Sequence, residues 1–194
     1  MGGGMTRSAL ALTLKAHGYA VLVVGVFLAA LPLAAASLDR LTGRALPAGL
    51  AVVGGVLLPL AGALSYTSFW LFIARGRGTA FPTDPPRALV VLGAYRYVRN
   101  PMYLGNLGIA LAEALLLRSP GALVYAVLLS AATHLYVTRV EEPALEARYG
   151  EAYRRYRRAV PRWIPSRRPY PTGLTLEATR AAPGQSTWGQ GCAS

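Results

Sequence analysis

At 194 residues the chain has the length of a single domain, yet only 14% of it is charged and 54% is hydrophobic, where a soluble domain carries about a quarter charged residues. The net charge of +12 comes from nineteen arginines and one lysine against eight acids, and these basic residues flank apolar runs, which favours an anionic lipid surface over nucleic acid as the partner. A single cysteine, Cys192, excludes an intrachain disulfide, a CxxC pair and a thiolate-based metal site.

Residues 1–16 are short and weakly basic, and Gly18–Ser37 is then apolar without a charge. That length suits one membrane crossing. Ala34–Ser37 resembles a small-residue cleavage site, but the apolar core is longer than a signal core and other spans follow, so it reads as a retained helix. Asp39–Arg44 reads as a tight polar loop. Leu46–Ile73 is a second apolar run, broken by Pro47 and Pro59, which spans if tilted or kinked, or bends back around Pro59 as a re-entrant hairpin. Gly55, Pro59 and Ala63 recur at four-residue spacing with Gly62 beside them, a small-residue face for close packing. Phe69, Trp70 and Phe72 sit at its end as an interfacial aromatic belt.

Residues 74–100 hold five arginines and several prolines and glycines, so they read as an ordered loop on the membrane surface. Pro101–Leu117 is the third span, with Pro101 suited to the first turn of a helix. Arg118–Gly121 is a turn, and Ala122–Thr138 is the fourth span. Arg139–Arg158 reads as a charged interfacial helix with interleaved tyrosines, ended by Val160–Pro165. Residues 169–194 read as a disordered tail rich in Gly, Pro, Ser and Thr. Ten arginines lie after Val137, so residues 74–100 and 139–168 belong on one positive side. The expected fold is an all-α integral membrane protein with about four transmembrane helices and a C-terminal interfacial helix. Both termini and the site would then be cytoplasmic. The single domain covers 1–168.

Two polar stretches carry the chemistry. In Gly93–Gly105, GAYRYVRNPMYLG, the residues Tyr95, Arg96, Arg99, Asn100 and Tyr103 would on composition alone anchor headgroups. Arg99 and Asn100 before Pro101 add something more specific. A helix N-terminus offers unpaired N–H groups, and the arginine fork fits a carboxylate or phosphate, so together they form a candidate anion pocket. In the second stretch, Glu141 and Glu142 leave the last span side by side. They could form ordinary helix pairs, Glu142 with Arg139 and Glu141 with Arg148. As a ligand site the carboxylates suit a cation or ribose hydroxyls. An anion pocket facing a carboxylate matches a ligand carrying both charges, as S-adenosylmethionine does. His134 lies seven residues before Glu141 on roughly the same face and reads first as a packed or hydrogen-bonded histidine. Asn106 and Glu113 share a spacing, and Glu113 lies about 18 Å along its helix from Pro101 by the rise per residue, so it reads as a tunnel or helix-bundle group. Gly105, Gly108 and Ala112 offer a small packing face. No Rossmann glycine pattern, P-loop, HExxH or GxSxG occurs, and no metal site is expected.

The pattern GxYRYVRNPMYxG, a helical hairpin, then EEPxLxxxYGxxYxxYxxxVPxWIP resembles the integral-membrane isoprenylcysteine carboxyl methyltransferase and phospholipid methyltransferase superfamily, nearest its small bacterial members, over residues 76–165. The resemblance implies S-adenosylmethionine-dependent methyl transfer to a lipophilic acceptor, such as a carboxylate, thiol or lipid amine, within the membrane. It implies that Arg99, Asn100, Pro101, Tyr103, Glu141 and Glu142 line the cofactor pocket, with Tyr95, Gly105 and His134 as further cofactor-binding candidates. Glu142, Arg139 and Arg148 are the candidates for a catalytic role, the arginines for an anionic substrate group. Asn100 stands where the eukaryotic carboxyl methyltransferases have His, and it cannot titrate. The competing readings are an NADPH-dependent membrane reductase of sterol-reductase type and a non-catalytic lipid-binding protein.

Overall fold

The computed structural model describes residues 25–76 and 91–171, together with Gly18, Leu22 and Leu89. Much of the first expected span, part of the 74–100 segment, Cys192 and the tail from Thr172 onward lie outside the described residues. Everything described is helical or irregular, without strands.

A π-helical turn, Val26–Ala30, runs into α1, Leu31–Thr42. The helix does not stop before Asp39, as the polar reading of Asp39–Arg44 expected. It runs on to Thr42 and is capped by Gly43 in the left-handed conformation. Asp39 is kept helical by its bonds across the fold: its carboxylate accepts from Ser119 Oγ and, at 2.7 Å, from the Gly121 N–H. These are groups at the start of α4, Pro120–Tyr136, where Ser119 is the N-cap and its Oγ accepts from the Ala122 N–H at 2.8 Å. One aspartate thus satisfies a free N-terminal donor, Gly121 N–H, and orients the Ser119 cap of a helix eighty residues further on. Those bonds hold the Asp39 carboxyl below its ordinary value, the Ser119 bond contributing most.

Helix α2, Leu50–Gly76, passes through Pro59 as one helix rather than a re-entrant hairpin. It lies against α3, Pro101–Leu116, in the most extensive helix contact of the fold. A Cβ on Gly105 would sit 2.6 Å from Ser65 N and 2.8 Å from Ala61 O, and one on Gly54 would sit 2.7 Å from Ala112 O. Ser65 Oγ donates to Asn106 Oδ1 at 2.6 Å across the same seam. The small face on α3 is therefore the expected one. On α2 it is one residue out of phase with the expected face: Gly54, Ala61, Ser65 and Ser68 face α3, while Gly55, Pro59 and Ala63 are exposed. A helix apolar all round carries no polar stripe to fix its rotation.

Two described helices are long and apolar enough to cross a membrane, over Leu50–Leu71 and within the 40-residue stretch Pro120–Ala159. Helix α3, at 16 residues, is about 24 Å long against a hydrocarbon core of about 30 Å. Valines and leucines on α2 and α4, among them Val52, Val56, Val124 and Leu128, are exposed, as lipid-facing positions are.

The charged helix is not a separate element. Helix α4 passes through a π-helical turn, Val137–Glu141, directly into α5, Glu142–Ala159. The break comes later, at Gly150 (φ 54°, ψ −128°), a conformation open essentially to glycine. There the chain turns back, and Arg157 Nη1 reaches Glu146 Oε2 at 2.9 Å across the corner. Tyr153, Tyr156 and Val160 then bury themselves against Val91. Tyr170, assigned from sequence to the tail, packs edge-on against Tyr156 with ring centres 5.5 Å apart.

Candidate functional site

The two polar stretches meet at one end of the bundle. A short 3-10 turn, Gly93–Arg96, leads through Asn100 (φ −122°, ψ 55°) into α3, whose first residue, Pro101, is fully buried. Pro101 forces the residue before it out of helical geometry, so residues 97–100 leave backbone groups unpaired within their own element. The segment after α5 supplies the partners. Arg99 N–H donates to Pro161 O at 2.9 Å, Ser166 N–H to Tyr97 O at 2.8 Å, and Tyr170 N–H to Arg96 O at 2.8 Å. Arg96 Nε donates to Tyr170 O at 2.8 Å, Asn100 Nδ2 to Arg162 O at 3.3 Å, and Tyr156 OH to Tyr95 O at 2.7 Å. Asn100 therefore clamps the 160–170 segment instead of capping α3 with its side chain.

This clamp brings an ion triad together. Arg99 Nη1 lies 2.9 Å from Glu142 Oε1, and Arg162 grips the same carboxylate through both oxygens, Nε to Oε1 at 2.6 Å and Nη2 to Oε2 at 2.9 Å. The Arg99 and Glu142 side chains are 9% and 7% exposed, so neither charge has water enough to stand alone. The bonds it donates to Glu142 hold the Arg162 guanidinium above its ordinary value. Glu141, one position earlier, lies close to the Tyr103 side chain. The π turn Val137–Glu141 ends on Glu141 and inserts one residue into the helical repeat there, so it helps set which way both carboxylates turn.

Among the polar atoms buried here, Glu141 Oε2 and Arg99 Nε make no hydrogen bond. Such orphans are costly unless something else satisfies them.

Of the residues singled out from sequence, Tyr95, Arg99, Asn100, Pro101, Tyr103, Glu141 and Glu142 come together here. Gly105 is pressed against α2 and serves helix packing, not the pocket. The helix pairs expected for the two glutamates do not form. Arg139 is exposed, and Arg148 lies over the Tyr149 ring, its guanidinium carbon 5.8 Å from the ring centre. Neither joins the site, because one turn of a helix cannot compete with two arginines delivered from other segments. Arg162 is the residue sequence reasoning missed. Its signal was available as an arginine inside the second motif, but Val160–Pro165 was read only as a helix terminator.

His134 stands elsewhere. Its Nδ1 accepts the Trp163 indole N–H at 3.0 Å, at one end of a groove of about 640 Å³ between α2, α3 and α4. The groove walls are apolar apart from Ser130, His134 and the indole. Trp163 follows Arg162 directly, so groove and ion triad are neighbours in the chain.

A helical bundle with exposed apolar helices long enough to cross a membrane and a buried ionic cluster at one end has the make-up of a membrane-embedded domain. Residues 50–152, just over half of the chain, match the phospholipid methyltransferase family, and the chain belongs to it. Among curated proteins none matches the chain, and none does among solved structures.

Proposed function

We propose that the chain transfers a methyl group from S-adenosylmethionine to a lipophilic acceptor, a lipid amine, carboxylate or thiol, at the cytoplasmic face of the membrane. The observation that carries this reading is the pair of buried, unpartnered atoms of opposite character, Glu141 Oε2 and Arg99 Nε, beside the Arg99–Glu142–Arg162 triad. They fit the cofactor's own pairing of a carboxylate with ammonium and ribose groups. Arg99 Nε would donate to the carboxylate, and Glu141 Oε2 would accept from the ammonium or a ribose hydroxyl. When bound, the cofactor supplies a methyl group on a sulfonium, open to in-line displacement.

The chain's residues then have to align and desolvate rather than protonate. Asn100 serves this by clamping the 160–170 segment over the site, a task that needs no titration, so the missing histidine is no obstacle to cofactor binding. Glu142, held by two guanidiniums, would fix Arg99 and Arg162 at the site without being free to act as a base. Arg139 and Arg148 are not needed. The joined 95–100 and 156–170 segments support a common side for the two basic stretches, and with the positive-inside rule that side is cytoplasmic. Four spans fit this if residues 18–37 and α3 also cross, α3 aided by tilting neighbours or local thinning.

The test is transfer of isotopically labelled methyl from S-adenosylmethionine into lipid extracts by membranes carrying the wild-type chain or Glu141→Gln. Label in an organic-soluble product with the first and at least about tenfold less with the second supports the reading. No transfer to lipids or small lipophilic acids and thiols opposes it.

A further inference from the structure

We infer that Ile164–Arg168 is a docking surface for the anionic phospholipid headgroups around the helices, and that this contact pins the 160–170 segment over the ionic site. The occupant is the charged lipid surface itself, and the contact does not depend on methyl transfer.

Charge points there first. Helix α5 answers most of its own arginines beyond Gly150: Arg154 and Arg158 each lie 2.8 Å from Glu151, and Arg157 lies 2.9 Å from Glu146. Arg162 is taken by Glu142. Among the described arginines after Gly150, that leaves Arg155, Arg167 and Arg168 without a carboxylate, all three exposed. The backbone that carries Arg167 and Arg168 is tied down on both sides. Ser166 N–H donates to Tyr97 O at 2.8 Å, Ser166 Oγ to Arg168 O at 2.7 Å, and Tyr170 N–H to Arg96 O at 2.8 Å. Two guanidinium groups on a fixed turn, with no anion of the fold to bind, suit lipid phosphates.

Position points there next. Ile164, two residues before Ser166, is 78% exposed. Its neighbour Trp163 donates its indole N–H to His134 Nδ1 at 3.0 Å, and His134 lies in the part of α4 that exposes Val127, Leu135 and Tyr136. Ile164 is therefore presented beside a helix apolar enough to cross a membrane. An exposed aliphatic side chain followed by arginines at that place makes an interfacial anchor. Arg162 lies in the same segment, its Nη2 2.9 Å from Glu142 Oε2. Whatever holds Ile164–Arg168 to the surface thus also keeps Arg162 on Glu142. An anionic surface attracts each arginine enough for about a fivefold preference over a neutral one, so the lipid charge of that leaflet regulates how firmly the ionic site is closed.

The full chain carries three tryptophans, so Trp70→Phe/Trp188→Phe leaves Trp163 as the sole reporter. That protein is reconstituted in phosphatidylcholine nanodiscs holding about a third phosphatidylglycerol, with brominated chains on one lipid or on the other. Quenching of Trp163 should show a preference for phosphatidylglycerol of at least about fivefold. Arg167→Gln/Arg168→Gln should bring the preference to about one, and so should ~1 M salt, where the screening length is ~3 Å. Arg158→Gln, whose partner is Glu151, should keep it. Deuterium uptake by the amides of residues 160–170 reads the pinning. Exchange should be about fivefold slower in the mixed discs than in pure phosphatidylcholine for the wild type, and alike in the two for the double variant. Ile164→Ser should exchange faster than wild type in both lipids. Quenching indifferent to the headgroup, or a preference that survives the double variant, overturns the docking surface. Equal uptake in the two lipids by the wild type overturns the pinning, and an Ile164→Ser variant that exchanges like the wild type removes Ile164 from the contact.

Discussion

Arg162 binds both oxygens of Glu142, twenty residues apart in the chain and on opposite sides of the turn at Gly150. This pair closes the 160–170 segment over the residues that precede α3. Arg162→Ala should leave Glu142 with Arg99 alone. Breaking a buried pair costs about 3–5 kcal/mol, and with Arg162 29% exposed the expected loss is smaller, about 1–3 kcal/mol. A double-mutant cycle with Glu142→Gln, read by denaturation in mild detergent, should give a coupling of about 1 kcal/mol or more. Additive losses would mean that the pair does not hold the segment.

The seam between α2 and α3 predicts opposite outcomes for two glycines. Gly105→Ala puts a methyl against Ser65 and Ala61 backbone and should cost about 1–3 kcal/mol. Gly62→Ala meets nothing within 4 Å and should be neutral or slightly stabilising. Thermal unfolding of the two proteins side by side checks this.

Asp39 links α1 to the start of α4, and its carboxyl sits below the ordinary 3.8 through its bonds to Ser119 and Gly121. A depressed acid contributes stability above its unfolded value, lost as pH falls through the folded one. Wild-type protein should therefore lose stability below about pH 4, and Asp39→Asn should be less stable at neutral pH but flatter in that acid window. Equal slopes for both would remove Asp39 from the account.

Gly150→Ala forces a side chain into φ 54°, ψ −128° and should cost about 1–3 kcal/mol. It should also open the corner that seats Tyr153 and Tyr156, which near-ultraviolet circular dichroism of the tyrosines would report.

How far the sequence carried this picture depended on what kind of constraint each residue was under. Pro101 at a helix start, the turn before α4 and the Gly105–Gly108–Ala112 face are local rules, and they were legible. So was the meeting of Arg99 and Tyr103 with the glutamate pair, because the two motifs were read as halves of one site. The phase of α2 was not, since Gly54 and Gly55 are equally small in a helix with no polar stripe. Arg162 was hidden because its partner depends on a turn at Gly150 that only three-dimensional closure reveals. Asp39 looked like a loop residue for a related reason: its carboxylate is satisfied by a helix start far away in sequence.

The most direct test of the central claim is calorimetric titration of the purified, monodisperse protein with S-adenosylhomocysteine. The account predicts saturable binding by wild type, weakened at least about tenfold in Glu141→Gln and in Arg99→Ala, and unchanged in Arg148→Ala. A folded wild type that does not bind, or binding indifferent to Glu141 and Arg99, would contradict it.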